Sequence, residues 1–393
     1  MSDFLDLLET IRAEEASYQR LFGDVGRSVR QTSPTPQYLA RLAEAAEFVE
    51  RCYGKRNGAQ RLREAMTTAD FPLLFGDILD RQLLGGYQES PVSWPAYCRR
   101  AQVPDFRTVK RFAVDGGEGV LTAVAEQTDY PPVELSEATS YSYAVSKRGR
   151  VLKFSWEAII DDDLGAFSET PARLGRAARR SEEKFVTQQF VDSSGPHASL
   201  YTAGNANIIN TTNGAASPNP ALSIAGLQDA LTVLGNLKDA DSEPIIVTSA
   251  VLVVCPALEV TGRNLLKAGQ IWTRTSGGGT TAQELLVENW MQGFMTLAVN
   301  PYIPIVATTN GNTSWFVFAS PSVGRPALEL GFLRGHEAPE IFIKESNQRR
   351  IGGAINPLDG DFDSDSVEYK VRHCFGGARG DGKATVASNG SGS

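Results

Sequence analysis

Apolar positions along the chain change their period several times, and each change marks an element. Over Thr170 to Val191 (TPARLGRAARRSEEKFVTQQFV), Leu174, Ala178, Ser181, Phe185 and Gln189 fall on one helical face as a thin apolar seam. Arg173, Arg176, Arg179, Arg180, Glu182, Glu183 and Lys184 cover the rest of that surface. Thr170 suits an N-cap and Pro171 a first helical turn, where a missing amide costs nothing. The pattern predicts a helix of about 20 residues, on the order of 30 Å long. So charged a surface suits a strut lying across a sheet, its charged side open to solvent or to neighbouring copies.

Ahead of this strut, Phe4, Leu8 and Ile11 form one short helical stripe. Leu39, Leu42, Ala46, Val49 and Tyr53 form another, after a Ser33-Pro34-Thr35-Pro36 break. From Phe71 to Ala101 five large aromatics are punctuated by prolines and by Gly85-Gly86, which reads as an extended arm lying against another surface. Residues 106–156 then read as one long hairpin. Phe106, Thr108, Lys110, Phe112 and Val114 alternate on the way out, and Tyr141, Tyr143, Val145, Val151, Phe154 and Trp156 mark the way back. The tip carries Asp115-Gly-Gly-Glu-Gly119 and Tyr130-Pro-Pro132, two kinds of turn chemistry.

After the strut, Ser193 to Pro220 reads as loop, and Asn219 reads as the cap of a helix opened by Pro220 with Ile224, Leu227, Leu231 and Leu234 on its buried side. Ile245 to Val254 is nearly all aliphatic, as in a strand buried on both faces. A short helix from Pro256 to Leu266, an open loop at Thr275 to Thr281 and a strand at Trp315 to Ala319 complete an α/β region over about 220–330. In the last third, Val367, Tyr369, Val371 and His373 alternate with Glu368, Lys370 and Arg372, a half-buried strand. The small, polar residues from Ala387 to Ser393 read as a loose tail.

Charge adds one feature to this outline. Residues 115–137 hold Asp115, Glu118, Glu126, Asp129, Glu134 and Glu137 and no base, whereas the flanking strands hold Arg107, Lys110, Arg111, Lys147, Arg148, Arg150 and Lys153. An acidic tip and a basic root can meet head to tail between copies, the heterologous arrangement that closes rings. Those residues, with Arg176 and Arg180 on the strut, are the candidate intersubunit contacts. The net charge of −8 over 393 residues argues against a protein that grips nucleic acid by its phosphates. No run of 18 apolar residues occurs, so no membrane partner is expected, and the acidic N-terminus does not read as a secretory signal, which points to cytoplasmic synthesis.

Catalytic and ligand motifs are sparse. The four cysteines lack any C-x-x-C pair and read as buried thiols; His197, His336 and His373 lack metal spacing and read as structural. Asp361, Asp363 and Asp365 imitate the start of a calcium loop, but Ser366 and Arg372 stand where glycine and glutamate are needed. Gly277 to Gly279 lacks the G-K-[ST] of a phosphate loop. No catalytic residue, cofactor or metal is expected.

The long hairpin ahead of a strut, the segment Leu328-Glu-Leu-Gly-Phe-Leu-Arg-Gly335, a proline and a Gly-Asp-Phe spacer, and Val367-Glu-Tyr-Lys-Val-Arg372 ending near Phe375-Gly376 together resemble the major capsid proteins of tailed phages, the Mu-like head subunits in particular. The resemblance implies an α+β, HK97-like capsid fold. It divides the chain into an N-terminal arm at 1–105 (helical over 1–66, then extended), an extended loop at 106–156, a peripheral domain at 157–219 and 341–393 with a spine helix at 170–191, and an axial domain at 220–340. It also implies a non-enzymatic shell protein that forms hexamers and pentamers around double-stranded DNA, in the capsid of a virion assembled in the host cytoplasm. Portal, scaffolding or decoration proteins would be its further partners. An encapsulin-like compartment shell is the alternative with the same fold, and a soluble hydrolase using carboxylates near Asp359 to Asp365 the alternative from another class.

Overall fold

The structure is a computed structural model. It describes residues 36–52, 71–115, 136–155, 169–239, 243–275, 283–289, 291–322, 326–348 and 360–392, with the single positions 61, 65, 123, 124, 126 and 351. The stripe at Phe4, Leu8 and Ile11 and most of the hairpin tip lie outside the described residues.

Two helices precede the first strand: α1 (Pro36–Cys52) and α2 (Phe71–Glu89). Helix α1 starts directly after the Ser-Pro-Thr-Pro break and buries Leu42, Ala45 and Val49 against Val367 and Tyr369. Helix α2 corrects the expectation of an extended arm over 71–101, whose glycines and prolines suggested irregular chain. Gly86 is there because the long strut packs on it: a Cβ at Gly86 would lie 2.3 Å from the Ala172 carbonyl oxygen. On the strut, a Cβ at Gly175 would lie 2.1 Å from that of Leu83. A glycine from each helix thus lets two backbones touch, which outweighs the roughly 1 kcal/mol that glycine costs a helix.

After a turn at Trp94–Ala96 come β1 (Arg99–Val103), β2 (Val109–Asp115), β3 (Ser136–Tyr143) and β4 (Ser146–Ser155). Only β2 and β3 form the hairpin, in antiparallel register from Val109 opposite Tyr143 to Asp115 opposite Ser136, with an irregularity between Arg111 and Phe112. The return half expected at 146–155 leaves the hairpin: β4 pairs instead with the long C-terminal strand, Ser155 opposite Ser366 through Ser146 opposite Phe375. Alternation alone identifies a strand and its faces but not its partner.

The strut is α3 (Thr170–Phe190), flanked by Glu169 rather than capped by Thr170. Its buried face is not the expected one. Leu174 and Ala178 are buried as expected, but Ser181 is exposed and Glu182, Glu183, Val186, Thr187 and Phe190 point inward. A small ladder of β5 (Val191–Asp192) and β6 (Gly195–Pro196) follows. Helix α4 (Ile224–Gly235) is capped by Ser223, whose side chain accepts from the Gly226 amide, rather than by Asn219.

The second half supplies β7 (Ala250–Val254), α5 (Glu259–Lys267), the hairpin of β8 (Gln270–Thr275) and β9 (Gln283–Glu288), β10 (Met295–Val299), the short α6 (Ile303–Val306) and β11 (Trp315–Ala319). It closes with β12 (Leu328–Leu333), β13 (Glu340–Ile343), β14 (Ser366–Arg379) and β15 (Thr385–Ser388). Strand β7 is buried throughout, as expected, but is shorter than the aliphatic run, and Ile246 stands 78% exposed before it.

Two sheets result. In the first, β14 lies between β4 on one side and β13 and β12 on the other, with β1 outside β12. In the second the order is β10, β7, β11, β15. Two memberships depart from the boundaries drawn from sequence. Residues 328–332 pair with 375–379 in the first sheet, and the supposedly loose tail supplies part of β15, buried beside β11 in the second. The small tail residues are required by proximity, since a Cβ at Gly390, whose φ is +67°, would lie 2.1 Å from the Thr313 carbonyl oxygen. One core cluster runs between the sheets, from Phe332 and Phe375 through Phe190 to Phe316 and Phe318.

Gly175→Ala is expected to force α2 and α3 apart and to cost about 1–3 kcal/mol, as overpacking does. Urea unfolding of the unassembled chain measures it, and Ala177→Gly, at a half-buried position on the same helix, controls for helix propensity.

Candidate functional site

Three buried carboxylates, Glu329, Glu182 and Glu183, tie the β2–β3 hairpin, α2 and the turn after it to the body. Glu329, on β12 and 2% exposed, accepts from Arg111 Nε at 2.8 Å, from Tyr141 Oη at 2.6 Å and from Tyr143 Oη at 2.5 Å. All three donors belong to the β2–β3 hairpin, so one carboxylate fastens its root to the first sheet. Gly331 makes room for this: a Cβ there would lie 2.6 Å from the Tyr143 ring. Burial, then the Glu329 hydrogen bond, push both tyrosine hydroxyls well above their usual pKa.

The second is Glu182 at the middle of α3, with no exposed surface. It accepts from Tyr87 Oη of α2 at 2.6 Å, from His373 Nε2 of β14 at 2.7 Å and from Arg179 Nη1 at 3.1 Å. Arg179 also donates to Tyr87 Oη at 2.9 Å and stacks its guanidinium over the Tyr87 ring. Burial, with the Glu182 charge beside it, raises the Tyr87 hydroxyl, which remains a donor. Glu183, next along the helix, accepts from the backbone amides of Ser93 and Trp94 at 3.0 and 3.3 Å and from the Ser93 hydroxyl. Burial holds its carboxyl above the usual range, against the smaller downward pull of those donors. One turn on, Asn300 donates to Thr187 Oγ1 at 2.8 Å and to Tyr97 Oη at 3.0 Å, which joins the end of β10 to α3.

These anchors reassign several candidate contacts. Arg111 is held by Glu329 within the chain; Lys153 pairs with Glu368 at 2.7 Å, and Arg176 with Glu89 at 2.9 Å. Arg148 lies over the Phe185 and Phe375 rings at 4.6 and 4.7 Å. Arg107 is 4.0 Å from Asp105 and points to solvent. Lys110, Lys147, Arg150 and Arg180 are exposed and have no carboxylate partner among the described residues. Glu126 is exposed, Asp115 ends β2, and Glu118 and Asp129 lie outside the described residues. The apolar side chains of this region also lack cover, with Phe106 53%, Phe112 57% and Val151 51% exposed.

Sequence reasoning missed the three carboxylates. A signal for Glu182 was present, because Leu174, Ala178, Val186 and Phe190 stand at steps of four on either side of it, and all are buried. Of the histidines, His373 binds Glu182, His197 Nε2 lies 2.7 Å from Arg379 Nη2, and His336 lies beside Glu340. Cys98, Cys255 and Cys374 are buried free thiols.

Glu182→Ala is expected to cost about 3–5 kcal/mol, because it strands a buried arginine, a tyrosine and a histidine together. Chemical unfolding of the unassembled chain reads this. Glu329→Ala is expected to leave global stability closer to wild type while speeding proteolytic cleavage around residues 104–108, next to the released hairpin root.

The family model of phage capsid proteins matches residues 138–388, well over half of the chain. No curated protein matches the sequence. Among solved structures, a Gordonia phage Cozz chain is similar at 14% identity and a TM-score of 0.45, over 76% of this chain and 86% of that one. A virus-like particle from Pyrococcus furiosus is similar at 11% and 0.42 over 80% and 99%, and the capsid of an empty GTA particle at 12% and 0.43 over 77% and 96%. The matching model covers phage capsid proteins at large and does not single out the Mu-like group. The family match spans most of the hairpin's return strand, the strut, the first sheet apart from β1, and the second sheet with its buried C-terminal strand, and by it this α+β chain belongs to the phage capsid protein family.

Proposed function

We propose that this chain is the major subunit of an icosahedral virion shell, arranged as pentamers and hexamers around double-stranded DNA held without sequence readout. The observation that supports this most is an arm fixed at its root and uncovered beyond it. Glu329 holds the β2–β3 hairpin to the body, while Phe106, Phe112, Lys110, Lys147 and Arg150 face outward. Such side chains gain cover in a lattice of copies, where weak contacts add up with copy number. In this reading the second sheet with α4 to α6 forms the axial part, and the first sheet with α3 the peripheral part. The role is structural, with no catalytic step.

The acid-only tip, 115–137, meets the basic face of a neighbour: Arg107, Lys110, Lys147, Arg150 and Arg180. The net charge of −8 fits a container that does not hold its cargo tightly. Assembly takes place in the host cytoplasm, with portal, scaffolding or decoration proteins as further partners. An encapsulin-like compartment is the less favoured reading, and its cargo would be protein.

Electron microscopy of the expressed full chain is expected to show closed shells. Discrete small particles at every concentration and salt would contradict the proposal. Lys110→Glu with Lys147→Glu and Arg150→Glu is expected to raise the subunit concentration needed for shells by at least about tenfold. Added salt should weaken wild-type assembly in the same direction, since exposed pairs are screened beyond about 10 Å at 0.1 M.

A further inference from the structure

A cavity of about 390 Å³ opens where the end of α2, the turn after it, α3 and β12 meet. Its walls include Tyr87, Trp94 and Phe332 together with Arg99, Arg100 and Arg179, and no lining residue is acidic. The guanidiniums lie over the rings: Arg179 is 4.7 Å from the Tyr87 centroid and 5.8 Å from that of Trp94, and Arg100 is 4.9 Å from that of Phe332. Trp94 is 3% exposed, and its Nε1–H has no acceptor among the described residues; neither has Arg179 Nε. A buried N–H without a partner costs about 1–3 kcal/mol, so two in one wall mark a place for a hydrogen-bond acceptor. Glu182 already answers Arg179 Nη1 and Glu337 lies within electrostatic reach of Arg100, but Arg99 stands exposed at the rim.

The ligand that fits this cavity has a carboxylate for the donors and an aromatic or proline surface for the rings. We propose that the cavity receives Asp129-Tyr130-Pro131-Pro132 from the hairpin tip of a second copy of this chain. In that stretch a carboxylate adjoins an aromatic ring and two prolines, which favour the extended, low-entropy form that aromatic grooves recognise. Its five nearest acids, Asp115, Glu118, Glu126, Glu134 and Glu137, come with no base, which matches the positive rim. Within one chain the hairpin is tied by its root to β12, the strand that also supplies Phe332. This inference rests on the shell reading and gives one address to the contact between tip and neighbour.

The test has two arms. A labelled peptide of residues 124–135 is titrated onto the unassembled full chain and followed by anisotropy. Saturable binding is expected, weakened at least tenfold by Arg99→Glu in the protein or Asp129→Lys in the peptide and regained when the two changes are combined. Equal binding of the Asp129→Lys peptide, or no saturable binding, overturns the proposal. In the second arm, shells carrying Pro95→Cys and Tyr130→Cys are oxidised. Disulfide-linked multimers are expected, whereas a link within one chain, or none in intact shells, overturns the pocket while leaving the shell standing. Failure of the unaltered chain to form shells would instead count against the shell reading itself.

Discussion

The fold depends on placing full carboxylates where apolar side chains would ordinarily go. Glu182 and Glu183 sit at the centre of α3, almost without exposed surface, and each takes hydrogen bonds from other elements: Tyr87 and His373 for Glu182, the 93–94 turn for Glu183. An unpaired buried carboxylate would be prohibitively costly, so α2, the 93–94 turn and β14 must arrive in register for α3 to be buried at all. The two glycine contacts between α2 and α3 then set how closely they arrive. The result is a rigid junction at mid-helix. Glu329 does the same for the hairpin on the far side of the first sheet.

Much of the architecture was legible because it follows simple periodicities. The alternation of Val367, Tyr369, Val371 and His373 against Glu368, Lys370 and Arg372 survives unchanged in β14. The fully apolar runs at 250–254 and 315–319 became adjacent, fully buried strands. Pairing was not legible. Strand β4 has the alternation of a hairpin arm, but the edge of β14 competes for it and supplies a ten-residue register. Composition misled in two places for one reason. Gly86 in α2 and Gly390 in the tail look like loop residues, yet both mark close backbone approach inside packed structure.

The candidate contacts divided on the same principle. Charge along the chain identified the basic root but could not say which bases were already answered within it. Arg111, Arg176 and Lys153 found acids far away in sequence, whereas Lys110, Lys147, Arg150 and Arg180 have none among the described residues. What remains exposed is a one-sided arm and an edge strand, β4, with Lys147 and Arg150 on it, a charged edge that also resists unwanted strand pairing. A rigid junction with an anchored but uncovered arm is a sensible subunit for a shell, because position is fixed inside each copy and cohesion is left to the contacts between copies.

That division of labour can be observed directly by comparing amide hydrogen exchange in unassembled chains and closed shells. The account predicts that α3 and β14 are equally protected in both states, while 109–115, 136–143 and 146–155 gain protection of at least about tenfold on assembly. Unchanged exchange across the hairpin and β4 in closed shells would contradict it, as would an α3 that becomes protected only after the copies associate.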